Sequence, residues 1–183
     1  GTEWGRFMTE MLNSRRGAEH ARIRGSVAHA FTPKRANAVR PLVRRVMAEL
    51  LDEWAPKGAF DFAEFAADFP IGVLCAILGV STREIPRLRV ALEAQPASLT
   101  REPGLKPVVL AGCGSSWEFV DGIVRGREAS GRHDEEAVLD AMIAANARGD
   151  LDGRELRHLI MVLLFGGYDT SKNMLALTIN LLI

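Results

Sequence analysis

The chain has 183 residues, the length of one domain or of part of a larger one. Lys+Arg and Asp+Glu both total 23, so the net charge is zero and a general nucleic-acid-binding role is not indicated. Hydrophobic residues make up 48%, enough for a core and unlike a disordered chain.

Nearly every segment reads as helix. A short, mixed helical pattern covers Glu19–Phe31. Thr32-Pro33 has the form of an N-cap with proline at the first helical position. After it Leu42, Val43, Val46, Met47, Leu50, Leu51 and Trp54 recur on one helical face, and Pro56-Lys57-Gly58 ends that helix. Asp61 with Glu64 forms a capping box for the next helix, whose core face holds Phe65, Phe69, Val73 and Ile77. Pro70 is expected to kink or split its first turns. Gly79 is the expected C-cap, and Ser81 with Glu84 forms another capping box. Residues 95–107, rich in proline, read as a loop. A helix follows from about Lys106 to Ala129, weakened by Gly112, Gly114 and Gly122. Ser130–Asp134 reads as a loop, Glu135–Ala147 as a helix, and Asp152 with Glu155 as the capping box of a long terminal helix. No strand and no repeat is visible, so the fold class is all-α, with residues 1–183 as a single incomplete domain.

The terminal helix poses the chemical question. Leu163, Gly166, Gly167, Thr170 and Met174 share one face of it. A glycine pair inside a helix costs about 1–2 kcal/mol relative to alanines. Two readings offset that cost. Either the missing side chains open a groove for a ligand, or they let another helix cross closely beside a solvated polar patch. Thr170 has the reach to bond back to the Gly166 carbonyl, or to turn its hydroxyl into the groove. Asp169, partly buried beside it, needs a partner or has its pKa raised. An acid and an alcohol at a groove floor suit proton relay.

Gly166-Gly167-Tyr168-Asp169-Thr170 resembles the Ala/Gly-Gly-x-Asp/Glu-Thr motif of the long central helix in the cytochrome P450 family, the haem-thiolate monooxygenases. The lead-in "GDLDGRELRHL" is similar to the family's as well. "EHARIRGSVAHAFTPKR" resembles the helix that supports the haem propionates, and "DFPIGVLCAILGVSTREIPRL" resembles a structural Pro-x-x-Val-x-x-x-Leu-Gly-Val segment. Together the matches cover almost the whole chain and resemble the soluble bacterial members. The resemblance implies the helical N-terminal-to-central part of that fold, lacking the haem-thiolate half.

It further implies haem b as cofactor, with NAD(P)H supplying electrons through a ferredoxin or flavodoxin-type donor. O2 and a small apolar organic molecule would be the substrates, one oxygen atom being inserted. Asp169 and Thr170 would carry protons, His20 and Arg24 would hold the propionates, Gly166 and Gly167 would leave room over the haem, and Leu163 would line the substrate pocket. His20 and Arg24 share a helical face, and a guanidinium there suits a bidentate carboxylate contact. Two alternatives remain: a family member that does not oxygenate, and a non-enzymatic all-helical ligand-binding module.

The chain departs from the family pattern in three places. The Phe-x-x-Gly-x-x-x-Cys-x-Gly loop with its iron ligand is missing, as is the Glu-x-x-Arg pair that precedes that loop in the family, so no metal ligand is assigned. Before His20 the chain has Arg15-Arg16-Gly17 where the family has Asp-Pro-Pro. Cys75 reads as a core thiol and Cys113 as incidental. They lie far apart without a Cys-x-x-Cys, which argues against a disulfide scaffold or zinc site and fits a reducing cytoplasm. Arg22, His158 and the pair Arg125 and Arg127 read as surface groups, His29 as packed or exposed, and His133, beside Asp134 and Glu135, as an exposed loop residue rather than a metal ligand. Residues 159–183 have the length of a membrane span, but Asp169 and Lys172 near its centre would each cost about 2.5–3.5 kcal/mol, so no span is expected. Gly1 is not Met and Ile183 falls inside an apolar pattern, so both ends read as cuts in a longer protein. Apolar faces left without the missing half are expected to be exposed.

Overall fold

The structure, a computed structural model, describes residues 2–100, 102–131, 133 and 137–182. Among them there are helices and turns but no strand. The α-helices are α1 (Glu3–Glu10), α2 (Gly17–Val27), α3 (Pro33–Ala38), α4 (Arg40–Trp54), α5 (Phe62–Leu78), α6 (Ile85–Glu93), α7 (Lys106–Ser130), α8 (Val138–Ala147) and α9 (Gly153–Leu182). Asp134 and Glu135, and with them the first turn expected for α8, lie outside the described residues.

Local chemistry sets most boundaries. Thr32 accepts from the Arg35 N–H at 3.4 Å, with Pro33 beginning α3. The single helix expected after it is two, because Pro41 has no N–H to return to Asn37 and the chain re-starts at Val39. Gly79 ends α5 in the left-handed region at φ 67°, a conformation that favours glycine. Pro70, in contrast, neither splits nor ends α5, which runs unbroken from Phe62 to Leu78. A proline inside a helix costs about 3 kcal/mol. Burial of Ala66, Ala67, Ile71, Leu74 and Leu78 around it outweighs that. The 95–107 loop contains two short 3-10 turns, Pro96–Leu99 and Pro103–Leu105.

The core forms where α5 lies along α9, with α6, α7 and α8 closing over them. Ile71, Leu78, Ile160, Leu164 and Tyr168 are fully buried there. Gly112 lets α7 cross α6, since a Cβ on it would come within 2.5 Å of the Ala94 Cβ. The helix α1, for which the sequence offered no reading, covers α9 by stacking Phe7 edge-on against Phe165 at 5.4 Å. A second, smaller cluster, Val46, Leu50 and Phe65, joins α4 to α5. Past Tyr168 one side of α9 is bare: Met174, Leu177, Leu181 and Leu182 are 61–84% exposed, while Leu175, Ala176 and Ile179 are half-buried. No helix among the described residues is long and apolar enough to cross a membrane.

Candidate functional site

The site is built from α2 and α9, which are distant in sequence. The expected capping box opens α9. The Asp152 carboxylate accepts from the N–H groups of Arg154 (2.8 Å) and Glu155 (2.7 Å), and the Glu155 carboxylate accepts from the Asp152 N–H at 2.9 Å. Glu155 has a second partner. Arg22 of α2 donates to both its oxygens, at 2.5 and 3.0 Å, and to the Asp150 carbonyl at 2.6 Å. Arg22 is therefore exposed, as expected, but it ties the two helices together. The fork from Arg22 holds the Glu155 carboxyl below its ordinary pKa.

Beyond that tie a cavity of about 360 Å³ opens between the helices. Arg24, Val27, Ala28 and Phe31 line it from one side, and Leu159, Val162, Leu163, Gly166 and Gly167 from the other. Thus Arg24, Leu163 and both glycines share one hollow. His20 and Thr170 do not line it. The His20 Nδ1 lies 3.1 Å from the carbonyl of Leu12, a residue that does line the hollow. The Thr170 hydroxyl donates to the Gly166 carbonyl at 2.6 Å, the back-bond that its spacing predicts.

The two glycines have different reasons to be there. A Cβ on Gly166 would meet nothing within 4 Å, so this residue opens the groove. A Cβ on Gly167 would meet the Leu74 Cδ2 at 2.9 Å, so this residue admits α5. Open space beside the hollow thus falls at Gly166, and the close helix crossing at Gly167. Asp169, a third exposed, finds its partner one turn on in Lys172, with Nζ 3.5 Å from Oδ1.

No family model matches the chain. It is similar to luteothin monooxygenase of Streptomyces thioluteus, at 32% identity over 174 residues, which is 93% of this chain and 42% of that protein. It is similar also to cytochrome P450 CYP107DY1 of Priestia megaterium, at 27% identity over 95% of this chain and 42% of that protein. The fold superposes on epothilone D-bound cytochrome P450epoK with a TM-score of 0.84, at 23% identity, covering 98% of this chain and 46% of that one. The chain belongs to the cytochrome P450 family. It spans about two fifths of the length of the curated relatives it matches.

P450 membership implies haem, and the residues of the α2–α9 hollow fit it. Leu159, Val162 and Leu163 supply an apolar wall, Gly166 leaves the wall bare at one point, and the exposed guanidinium of Arg24 stands at the edge. That combination suits a flat apolar ring bearing carboxylates. Neither cysteine lines the hollow. Both are buried, and burial pushes the thiol of Cys75 up to about 12 and that of Cys113 up to about 11. No group of three or more potential metal ligands occurs among the described residues.

Two residues near this P450 framework, His158 and Arg127, differ from the surface reading that the sequence supports. His158 is 2% exposed, packed edge-on between Phe7 and Trp117 with its Nδ1 unpartnered and 3.7 Å from a Glu10 oxygen. Burial lowers its pKa, with Glu10 opposing. Helix α1, absent from the sequence reading, is what covers it. Arg127 is likewise no solvated group. It bonds Asp140, itself buried, at 3.0 Å and the Leu78 and Gly79 carbonyls at 3.2 Å, bracing the end of α5 against α7 and α8. Arg125 does stay exposed, and so do His29 and His133. Tyr168, inside the recognised motif, is fully buried, with its hydroxyl 3.4 Å from a Glu93 oxygen. Glu93 in turn belongs to the ion cluster of Arg89 with Asp68 and Glu64. Only the partner helix α6 reveals that arrangement.

Proposed function

We propose that the intact protein is a haem-dependent monooxygenase that inserts one oxygen atom from O2 into a small apolar organic substrate. Electrons would come from NAD(P)H through a ferredoxin or flavodoxin-type donor. The observation that carries this reading is the shared hollow: a cation from α2 and the bare stretch Gly166-Gly167 of α9 border one apolar space.

Haem, when bound through a thiolate, supplies the oxygen-activating chemistry. The remaining roles belong to this chain. Arg24 would pair with a propionate by a charge-assisted fork, and His20, its ring anchored on the Leu12 carbonyl, would contribute from the same helix. Leu163 would contact the substrate, and Leu159 and Val162 would exclude water. Thr170 would exchange its bond to the Gly166 carbonyl for one toward the groove, presenting an O–H there. Asp169, released from Lys172 and partly open to solvent, would resupply that hydroxyl with protons. The test is the absorbance of the intact, haem-loaded protein, reduced and exposed to carbon monoxide. The red-shifted band typical of thiolate ligation is expected. Haem-saturated protein without that band overturns the reading.

A further inference from the structure

We propose that the Arg22–Glu155 pair is the hinge that sets the width of the α2–α9 hollow, making Arg22 a positioning residue for the group held there. The inference rests on the reading of that hollow as a haem site. It goes further by assigning a role to a residue that does not line it.

The geometry is that of a wedge. Every α2 residue bordering the hollow lies after Arg22 in sequence, and every α9 residue bordering it lies after Glu155. The pair therefore lies at the end of the hollow nearest the starts of both helices. The fork of 2.5 and 3.0 Å, with the further bond of 2.6 Å to the Asp150 carbonyl, fixes both the separation and the rotation of α2. Glu155 cannot drift to follow α2, because its carboxylate also closes the capping box on Asp152. Its side chain is 10% exposed, so water competes weakly for the carboxylate side of the pair. Rotating α2 moves Arg24, two residues along, relative to the bare Gly166. Arg22 thus acts on the cofactor through other residues of α2, Arg24 among them.

A second clamp on the same part of α9 provides the control. Arg157 donates to Asp121 of α7 at 2.8 and 2.6 Å. It too clamps α9 by two charge-assisted bonds, but to a helix that does not border the hollow. A purely structural role predicts the same result for both clamps.

The experiment measures haem transfer from the intact, haem-loaded protein to an apo-globin acceptor, alongside thermal stability. The variants are Arg22→Ala, Glu155→Gln, Arg157→Ala and Arg24→Ala. Arg22→Ala is expected to speed haem loss about fivefold. Glu155→Gln, which keeps an acceptor for the Asp152 cap, is expected to act in the same direction. Arg157→Ala is expected to lower the melting temperature while changing haem loss by less than about twofold. Equal acceleration by Arg22→Ala and Arg157→Ala overturns the hinge, as does haem loss unchanged in both Arg22→Ala and Glu155→Gln while Arg24→Ala accelerates it. Unchanged haem loss in Arg24→Ala overturns the haem-site reading itself, and the hinge with it.

Discussion

Alanine substitution at Gly166 and at Gly167 separates two consequences of one sequence motif. Within a helix, glycine is about 1 kcal/mol worse than alanine. At Gly166 a methyl would meet nothing within 4 Å, so Gly166→Ala should stabilise the chain by up to about 1 kcal/mol. At Gly167 the methyl would arrive 2.9 Å from the Leu74 Cδ2, with Cδ1 at 3.5 Å and Cγ at 3.6 Å. Leu74 is 5% exposed and packed in the core, so it has little room to yield. Overpacking of that kind costs about 1–3 kcal/mol. Set against the same helical gain, Gly167→Ala should lie between no change and a loss of about 2 kcal/mol. The two variants should therefore differ by about 1–3 kcal/mol, or roughly 2–12 °C in melting temperature. Thermal unfolding followed by circular dichroism measures this directly. Gly167→Ala melting at or above Gly166→Ala would refute the assignment of one glycine to the groove and the other to the helix crossing. If the groove is the haem site, Gly166→Ala should carry a functional defect together with its gain in stability.

On the proposed monooxygenase function, Thr170→Ala in the intact protein should lower the product formed per NAD(P)H oxidised, the balance leaving as peroxide; an unchanged ratio contradicts the role given to that hydroxyl. Acid should destabilise the fold through His158. Burial depresses its folded pKa, so below about pH 6.5 the unfolded chain binds the extra proton and stability falls as pH falls. Urea unfolding across pH 5–8 should show a weaker acid dependence in His158→Phe, and an identical dependence contradicts the assignment. Both cysteines should resist a thiol reagent at pH 8 in the folded chain and react after unfolding, since burial disfavours both thiolates. Immediate labelling of either would contradict their place in the core.

What the sequence made legible depended on how locally each feature is determined. The Asp152–Glu155 box, the Thr32 cap, the Gly79 C-cap and the extent of α7 are decided within a few residues, and the structure matches them. Pro41 was equally local, but the apolar face that starts at Leu42 drew the reading of one helix. Pro70 shows the reverse, a local breaker overruled by burial. In the site, the Gly-Gly-Tyr-Asp-Thr run and the His20/Arg24 spacing lie on α9 and α2, which border one hollow through Arg24, Gly166 and Gly167 but not through His20 or Thr170. They did not distinguish Gly166 from Gly167, because that depends on Leu74 from another helix. Arg22, Arg127 and His158 were illegible for the same reason. A polar residue reads as solvated until the helix that covers or pairs with it is known. For His158 that helix is α1, and for Arg22 it is α9.

The central claim is that the α2–α9 hollow holds haem with Arg24 at its carboxylates. It is tested most directly by haem loss from the intact protein and from its Arg24→Ala variant, each loaded with haem or with haem dimethyl ester. Removing one partner of a charge-assisted pair costs about 1.5–3 kcal/mol, so Arg24→Ala should release haem roughly tenfold faster or more. The ester has no carboxylate to pair, so the two proteins should release it at the same rate. Equal release of unmodified haem from both proteins would contradict the account.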